Sequence, residues 1–144
     1  MDCEIRPMTA QELPAVAALE RACFSHPWSE QSLSASLHNG RSVFLTAHGA
    51  GELLGYLGME YILGEGSVTN VAVFPPYRRQ GVASALTSRL ALEILALGKV
   101  PFYCAAWSTV RSVRNAIRSG FRPAWVELTA RDRDFVNRMN GHAK

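Results

Sequence analysis

Cysteine is scarce in this sequence: Cys3, Cys23 and Cys104 make three in 144 residues, an odd number without C-x-x-C spacing. That pattern argues against a disulfide framework, and no metal site is expected. Charge is also sparse, at 19% of residues with a formal net charge of +3. So mild an excess of base suits a small anion but not a nucleic-acid partner. Long apolar runs are missing as well. The longest candidate, residues 82–97, is broken by Thr87, Ser88, Arg89 and Glu93, far short of the roughly 20 residues that cross a bilayer. The chain does not open on a basic segment followed by an apolar run. A cytoplasmic protein with reduced thiols and no membrane contact is expected.

What is present is apolar content, 48% of the chain, which is enough for one core in a chain of single-domain length. Residues 1–130 read as one domain and 131–144 as a polar tail, in a monomer or homodimer. Cys3 to Arg6 predicts a strand, and Thr9 with Glu12 has capping-box spacing for a helix over 10–23. Ser29 caps a second helix, with Leu33 and Leu37 one turn apart. Strands are expected over 42–47, 53–63 and 67–74, the first two joined by a Gly-containing turn at 48–52. Val82, Leu86, Leu90, Ile94 and Leu97 predict a long amphipathic helix stopped by Gly98. A strand over 100–106, a helix over 109–119 and a strand over 124–129 complete the order β-α-α-β-β-β-α-β-α-β. This is an α/β fold with about six mostly antiparallel strands and about four helices.

Chemistry concentrates between Asn70 and Ser84. An apolar strand, a loop with Arg78 and Arg79, and then Gly81 and Ala83 opening a helix aim free backbone N–H groups and a positive helix end at one point. That point suits a diphosphate. Gly81 lets the backbone approach closely, Ala83 keeps the next position small, and Ser84 adds a hydroxyl.

This segment resembles the GNAT superfamily of acyl-CoA N-acyltransferases, whose signature [QR]-x-x-G-x-[GA] opens the helix after the fourth strand. The element order matches over nearly the whole chain. The resemblance is closest to the ribosomal-protein alanine N-acetyltransferases, through Glu20 to Cys23, Phe24-Ser25-His26-Pro27-Trp28-Ser29, and Asn70-Val71-Ala72-Val73 leading to Tyr77-Arg78-Arg79-Gln80-Gly81. It implies acetyl-CoA as cofactor and direct transfer of acetyl to a primary amine, from a peptide N-terminus or a small molecule. By position it assigns the pantetheine arm to main-chain groups of Val71, Ala72 and Val73, and the pyrophosphate to Arg79, Gln80, Gly81, Val82, Ala83 and Ser84. A non-catalytic CoA-binding module is the alternative.

The ribosomal-protein enzymes carry a glutamate base on the fifth strand and a tyrosine acid on the next helix. Here Cys104 and Ala116 stand at those positions, and Thr109 replaces a cofactor-contacting asparagine. Glu60, a carboxylate in an apolar strand, is the substitute base, or else a solvated strand residue. Cys104 is the candidate acid, or a plain core thiol. His26 and Trp28 stand as acceptor wall or as a surface turn. Arg111, Arg114 and Arg118 form a helix stripe read first as a solvated face.

Overall fold

The computed structural model describes residues 3–62, 65–106, 108–124 and 126. Four strands, β1 (Glu4–Pro7), β2 (Ser42–Gly49), β3 (Glu52–Ile62) and β4 (Glu65–Val73), pair antiparallel in chain order. The helices are α1 (Leu13–Cys23), α2 (Glu30–His38), α3 (Val82–Ala96) and α4 (Val110–Arg118), with short 3-10 turns at Ala10–Glu12 and Pro75–Tyr77.

Local chemistry places the ends of these elements. The Glu12 carboxylate accepts from the Thr9 amide at 2.7 Å and the Thr9 hydroxyl at 2.9 Å, so the capping residues act at the 3-10 turn. Pro14 follows in the first turn of α1, where its missing N–H costs nothing. Ser29 accepts from the Ser32 amide at 3.1 Å and starts α2. Between β2 and β3, Gly49 pairs with Glu52, and Ala50 and Gly51 both take positive φ, 50° and 81°. This two-residue turn matches the twist of the sheet.

The sheet divides two cores. On one face α1 and α2 cover Phe44, Tyr56 and Ala72, with Val16, Leu19 and Leu33 buried against them. On the other, α3 lays Val82, Leu86 and Leu90 on Leu45, Leu57 and Val73, and each fully buried aliphatic side chain there contributes about 1.5–3 kcal/mol. Two register shifts make this sorting possible. Leu54 is an extra residue opposite Ala47 and His48, and Thr69 is an extra residue opposite Gly58 and Met59. A bulge shifts the side-chain alternation by one, which sends Tyr56 toward α1 and Leu57 toward α3. α4 packs on α3 through a polar seam described below.

The expected strand over 100–106 does not form. Pro101 offers no N–H to a ladder, Val100 and Phe102 are 87% and 57% exposed, and among the described residues no strand pairs with the segment. The described residues therefore hold four strands where about six are expected. The last expected strand, apart from Ala124 and Val126, lies outside the described residues, as do Trp107, Trp125 and the tail 131–144.

Candidate cofactor and acceptor site

β4 has β3 on one side and, among the described residues, no strand on the other. Val71, Ala72 and Val73 lie at its C-terminal end, paired with Leu57, Tyr56 and Gly55. Close packing fixes this end: a Cβ on Gly55 would stand 2.6 Å from the Ala72 carbonyl oxygen. After Val73 the chain makes the Pro75–Tyr77 turn, passes Arg78, and reaches α3 through two residues of positive φ, Arg79 at 67° and Gly81 at 89°.

That path leaves donors open. The first hydrogen bond of α3 runs from the Ala85 amide to the Gly81 carbonyl at 2.9 Å. The amides of Arg79, Gln80, Gly81, Val82, Ala83 and Ser84 have no acceptor among the described residues. Six consecutive N–H groups at the positive end of a 15-residue helix attract an anion by both dipole and hydrogen bonds. Nothing lies within 4 Å of where a Gly81 Cβ would be, so the space in front of the loop is clear. The Arg79 guanidinium is exposed and makes no hydrogen bond or ion pair among the described residues. Val82 is buried and anchors the helix start on the sheet.

Three polar side chains of this segment have partners within the fold. Arg78 turns back: its Nε donates to the Val73 carbonyl at 3.0 Å and its Nη2 to Cys23 Sγ at 3.2 Å. Cys23 Sγ is also 3.6 Å from the Val73 carbonyl oxygen. The Arg78 charge thus fastens the end of α1 to the end of β4 and stands away from the open amides. The same contact takes the Val73 carbonyl out of the set of main-chain groups open to a ligand. Gln80 Nε2 donates to the Pro76 carbonyl at 3.0 Å and braces the loop. The Ser84 hydroxyl donates to Asn115 Oδ1 at 2.9 Å, and Asn115 Nδ2 donates to Thr87 Oγ1 at 2.9 Å. The one hydroxyl hydrogen of Ser84 therefore joins α3 to α4, leaving its amide as the donor toward a ligand.

The profile of the Acetyltransferase (GNAT) family matches residues 13–118, a stretch that contains the sheet edge, the amide-rich loop and α3. The chain belongs to the GNAT acetyltransferase family. Among curated relatives, a putative [ribosomal protein bS18]-alanine N-acetyltransferase of Bacillus subtilis (strain 168) is 30% identical over 91 residues, 62% of this chain and 60% of that protein. The match thus spans less than two thirds of that relative's length. An acetyltransferase of Sodalis glossinidius (strain morsitans) is 34% identical over 98 residues, 66% of this chain and 69% of the relative. The fold is shared with solved structures. The ribosomal-protein-S18-alanine N-acetyltransferase from Escherichia coli superposes with a TM-score of 0.67 at 23% identity, over 86% of this chain and 80% of that one. The aminoglycoside 6'-N-acetyltransferase AAC(6')-Ih from Acinetobacter baumannii gives 0.70 at 17% identity, over 91% and 98%.

Within this GNAT framework the sequence-expected catalytic residues stay apart. Glu60 is half-buried on β3, opposite Ser42 and Ser67 on the α1–α2 face, and makes no hydrogen bond or ion pair among the described residues. It stands three residues from Leu57, the partner of Val71, or about 10 Å along the strand. Tyr61 takes the opposite face, with Lys99 Nζ 4.3 Å above its ring. Cys104 is exposed in the 100–106 segment, so it is not a core thiol. Thr109 is the exposed N-cap of α4. His26 is exposed, with Nδ1 3.1 Å from Ser25 Oγ, and Trp28 packs partly against the α1–α2 core. Arg111, Arg114 and Arg118 are all exposed.

One cluster escaped the sequence reading. Glu20 on α1 is fully buried. Its Oε1 accepts from Asn70 Nδ2 at 2.8 Å and from the Tyr56 hydroxyl in a short hydrogen bond; its Oε2 accepts from the Trp28 amide at 2.9 Å. Burial and the bond to Glu20 push the Tyr56 phenol well above its ordinary value, so it stays protonated and donates. A glutamate on a helix face reads as solvated, and the partners lie 8, 36 and 50 residues away. The pattern Glu20 to Trp28 was visible only as part of the family resemblance.

Proposed function

We propose that this chain is an N-acetyltransferase that moves an acetyl group from acetyl-CoA to a primary amine by direct attack, with a peptide or protein N-terminus as acceptor. The observation that carries the reading is the run of open amides from Arg79 to Ser84 at the start of α3, in a chain of the GNAT family. Their number, polarity and clear approach at Gly81 fit a pyrophosphate, with the Arg79 side chain adding charge. The main-chain groups of Val71 and the Val73 amide lie on the edge of β4 away from β3 and suit the pantetheine arm as an added strand.

Acetyl-CoA supplies the acetyl group already activated as a thioester. The chain's part is to hold and orient. Main-chain N–H groups at the end of β4 polarise the carbonyl by hydrogen bonding. Glu60, about 10 Å along β3 from the partner of Val71, would take the amine proton through water, and the departing CoA thiolate would take a proton from water to leave as the thiol. An α-amino group suits so weak a base, because it titrates near 7.7–8.0 against about 10.4 for lysine. The resemblance to the putative alanine N-acetyltransferase of Bacillus subtilis supports a peptide acceptor.

The test is release of free CoA thiol from acetyl-CoA with peptides bearing free N-terminal alanine, serine or methionine, beside an aminoglycoside and a polyamine. Peptide-dependent release is expected. Release only with the small amines would replace the acceptor class. Tight acetyl-CoA binding without release from any acceptor would make the chain a CoA-binding module.

A further inference from the structure

The most heavily bonded buried side chain on the acceptor side is Glu20. Its exposure is 0% and that of Tyr56 is 1%, so neither exchanges a proton with a substrate. A carboxylate in such a place costs several kcal/mol unless its lone pairs are met. Here three donors meet them, each from a different segment: the Trp28 amide from the α1–α2 turn, the Tyr56 hydroxyl from β3, and the Asn70 amide group from β4. Asn70 Nδ2 is also 3.1 Å from the Tyr56 hydroxyl oxygen, which closes the cluster. No buried side-chain polar atom among the described residues is left without a partner.

Stability alone does not account for this arrangement, since apolar residues of similar volume pack such a site as well or better. Direction accounts for it. The donor from the turn is a main-chain N–H, so the carboxylate fixes where the backbone of Trp28 sits. Asn70 immediately precedes Val71 and Ala72. One carboxylate therefore sets the distance between the turn carrying His26, Pro27 and Trp28 and the strand end that faces the thioester. Beside that turn lies an open groove formed by Trp28, Ser29, Ser32, Ala35 and Ser36.

Resting on the acetyltransferase reading above, we propose that Glu20 is a positioning residue for the acceptor: through the Trp28 amide it holds the α1–α2 turn against β4 and so governs acceptor affinity without governing cofactor affinity. Glu20→Gln tests this, because an amide keeps one acceptor oxygen and turns an NH2 toward Trp28 N–H or toward Asn70 and Tyr56. In Glu20→Gln, loss of a buried bond to a charged group predicts that exchange of the Trp28 amide speeds at least about tenfold and that KM for a short peptide with free N-terminal alanine rises about fivefold or more. Acetyl-CoA Kd, from calorimetry, stays within about twofold. The exchanged pair Glu20→Gln with Asn70→Asp restores a carboxylate opposite an amide, with the Gln oxygen accepting from Trp28, and recovers both readouts.

An unchanged Trp28 exchange rate or an unchanged peptide KM in folded Glu20→Gln overturns the proposal. So does a parallel loss of acetyl-CoA and peptide affinity, the mark of general loosening. If Glu20→Gln does not fold, a folded double variant that keeps the elevated KM overturns it equally. Failure of the enzymatic reading is separate: the wild-type chain would then neither bind acetyl-CoA nor release thiol, while Trp28 exchange still judges the tie itself.

Discussion

Two corners of the molecule treat polar groups in opposite ways. Where α1 turns into α2, a buried carboxylate meets three donors and nothing is left over. Where β4 turns into α3, six successive amides meet no acceptor among the described residues. Polar groups satisfied within the fold hold it in one arrangement, whereas groups left open at a surface are available to a ligand. The two corners are not independent, since Cys23, the last residue of α1, contacts both the Val73 carbonyl and Arg78.

The comparison is broken most severely at Gly81. Gly81→Glu sets a negative side chain before the amides and a Cβ on a backbone of φ 89°. Acetyl-CoA affinity by calorimetry is expected to fall about 100-fold or more, against a stability loss of only about 1–2 kcal/mol from the left-handed backbone. Retained affinity would remove the cradle from this corner.

Tyr56→Phe probes the satisfied corner. It keeps the ring that stacks on Phe44, whose centroid is 6.4 Å away, but withdraws one donor from Glu20. Urea unfolding should show a loss of about 1–3 kcal/mol, with acetyl-CoA affinity unaltered. A fall in affinity as large as that of Gly81→Glu would merge the two corners into one site.

The smallest effect sharpens the boundary of the open corner. Ser84→Ala removes the hydroxyl that donates to Asn115 and keeps the amide, so a loss of about 1 kcal/mol in unfolding free energy is expected, with acetyl-CoA Kd within about twofold of wild type. A tenfold rise in Kd would return the Ser84 hydroxyl to the ligand side.

These corners were unequally legible in the sequence. The open one is local: Gly81, the preceding strand and the periodic Val82, Leu86 and Leu90 all fall within a short stretch, so spacing alone places free amides at a helix start. The other depends on tertiary contact. Glu20, Tyr56 and Asn70 come from three elements, and Tyr56 faces Glu20 only because bulges at Leu54 and Thr69 shift the strand alternation. Sequence pattern likewise did not show that the Arg78 side chain reaches a carbonyl and a sulfur from other elements. The strand expected at 100–106 rested on apolar content alone, and Pro101 denies it a donor.

Arg79 adds a consequence of its own. A non-glycine residue at φ 67° sits about 1–2 kcal/mol above an ordinary conformation, a cost the surrounding fold has to bear. A backbone held there has few alternative shapes to explore, and narrowing a loop to one shape favours binding by preorganisation in place of additional contacts. Glycine at that position would release the strain and firm the fold while widening the loop's freedom, a small instance of stability and function pulling against each other.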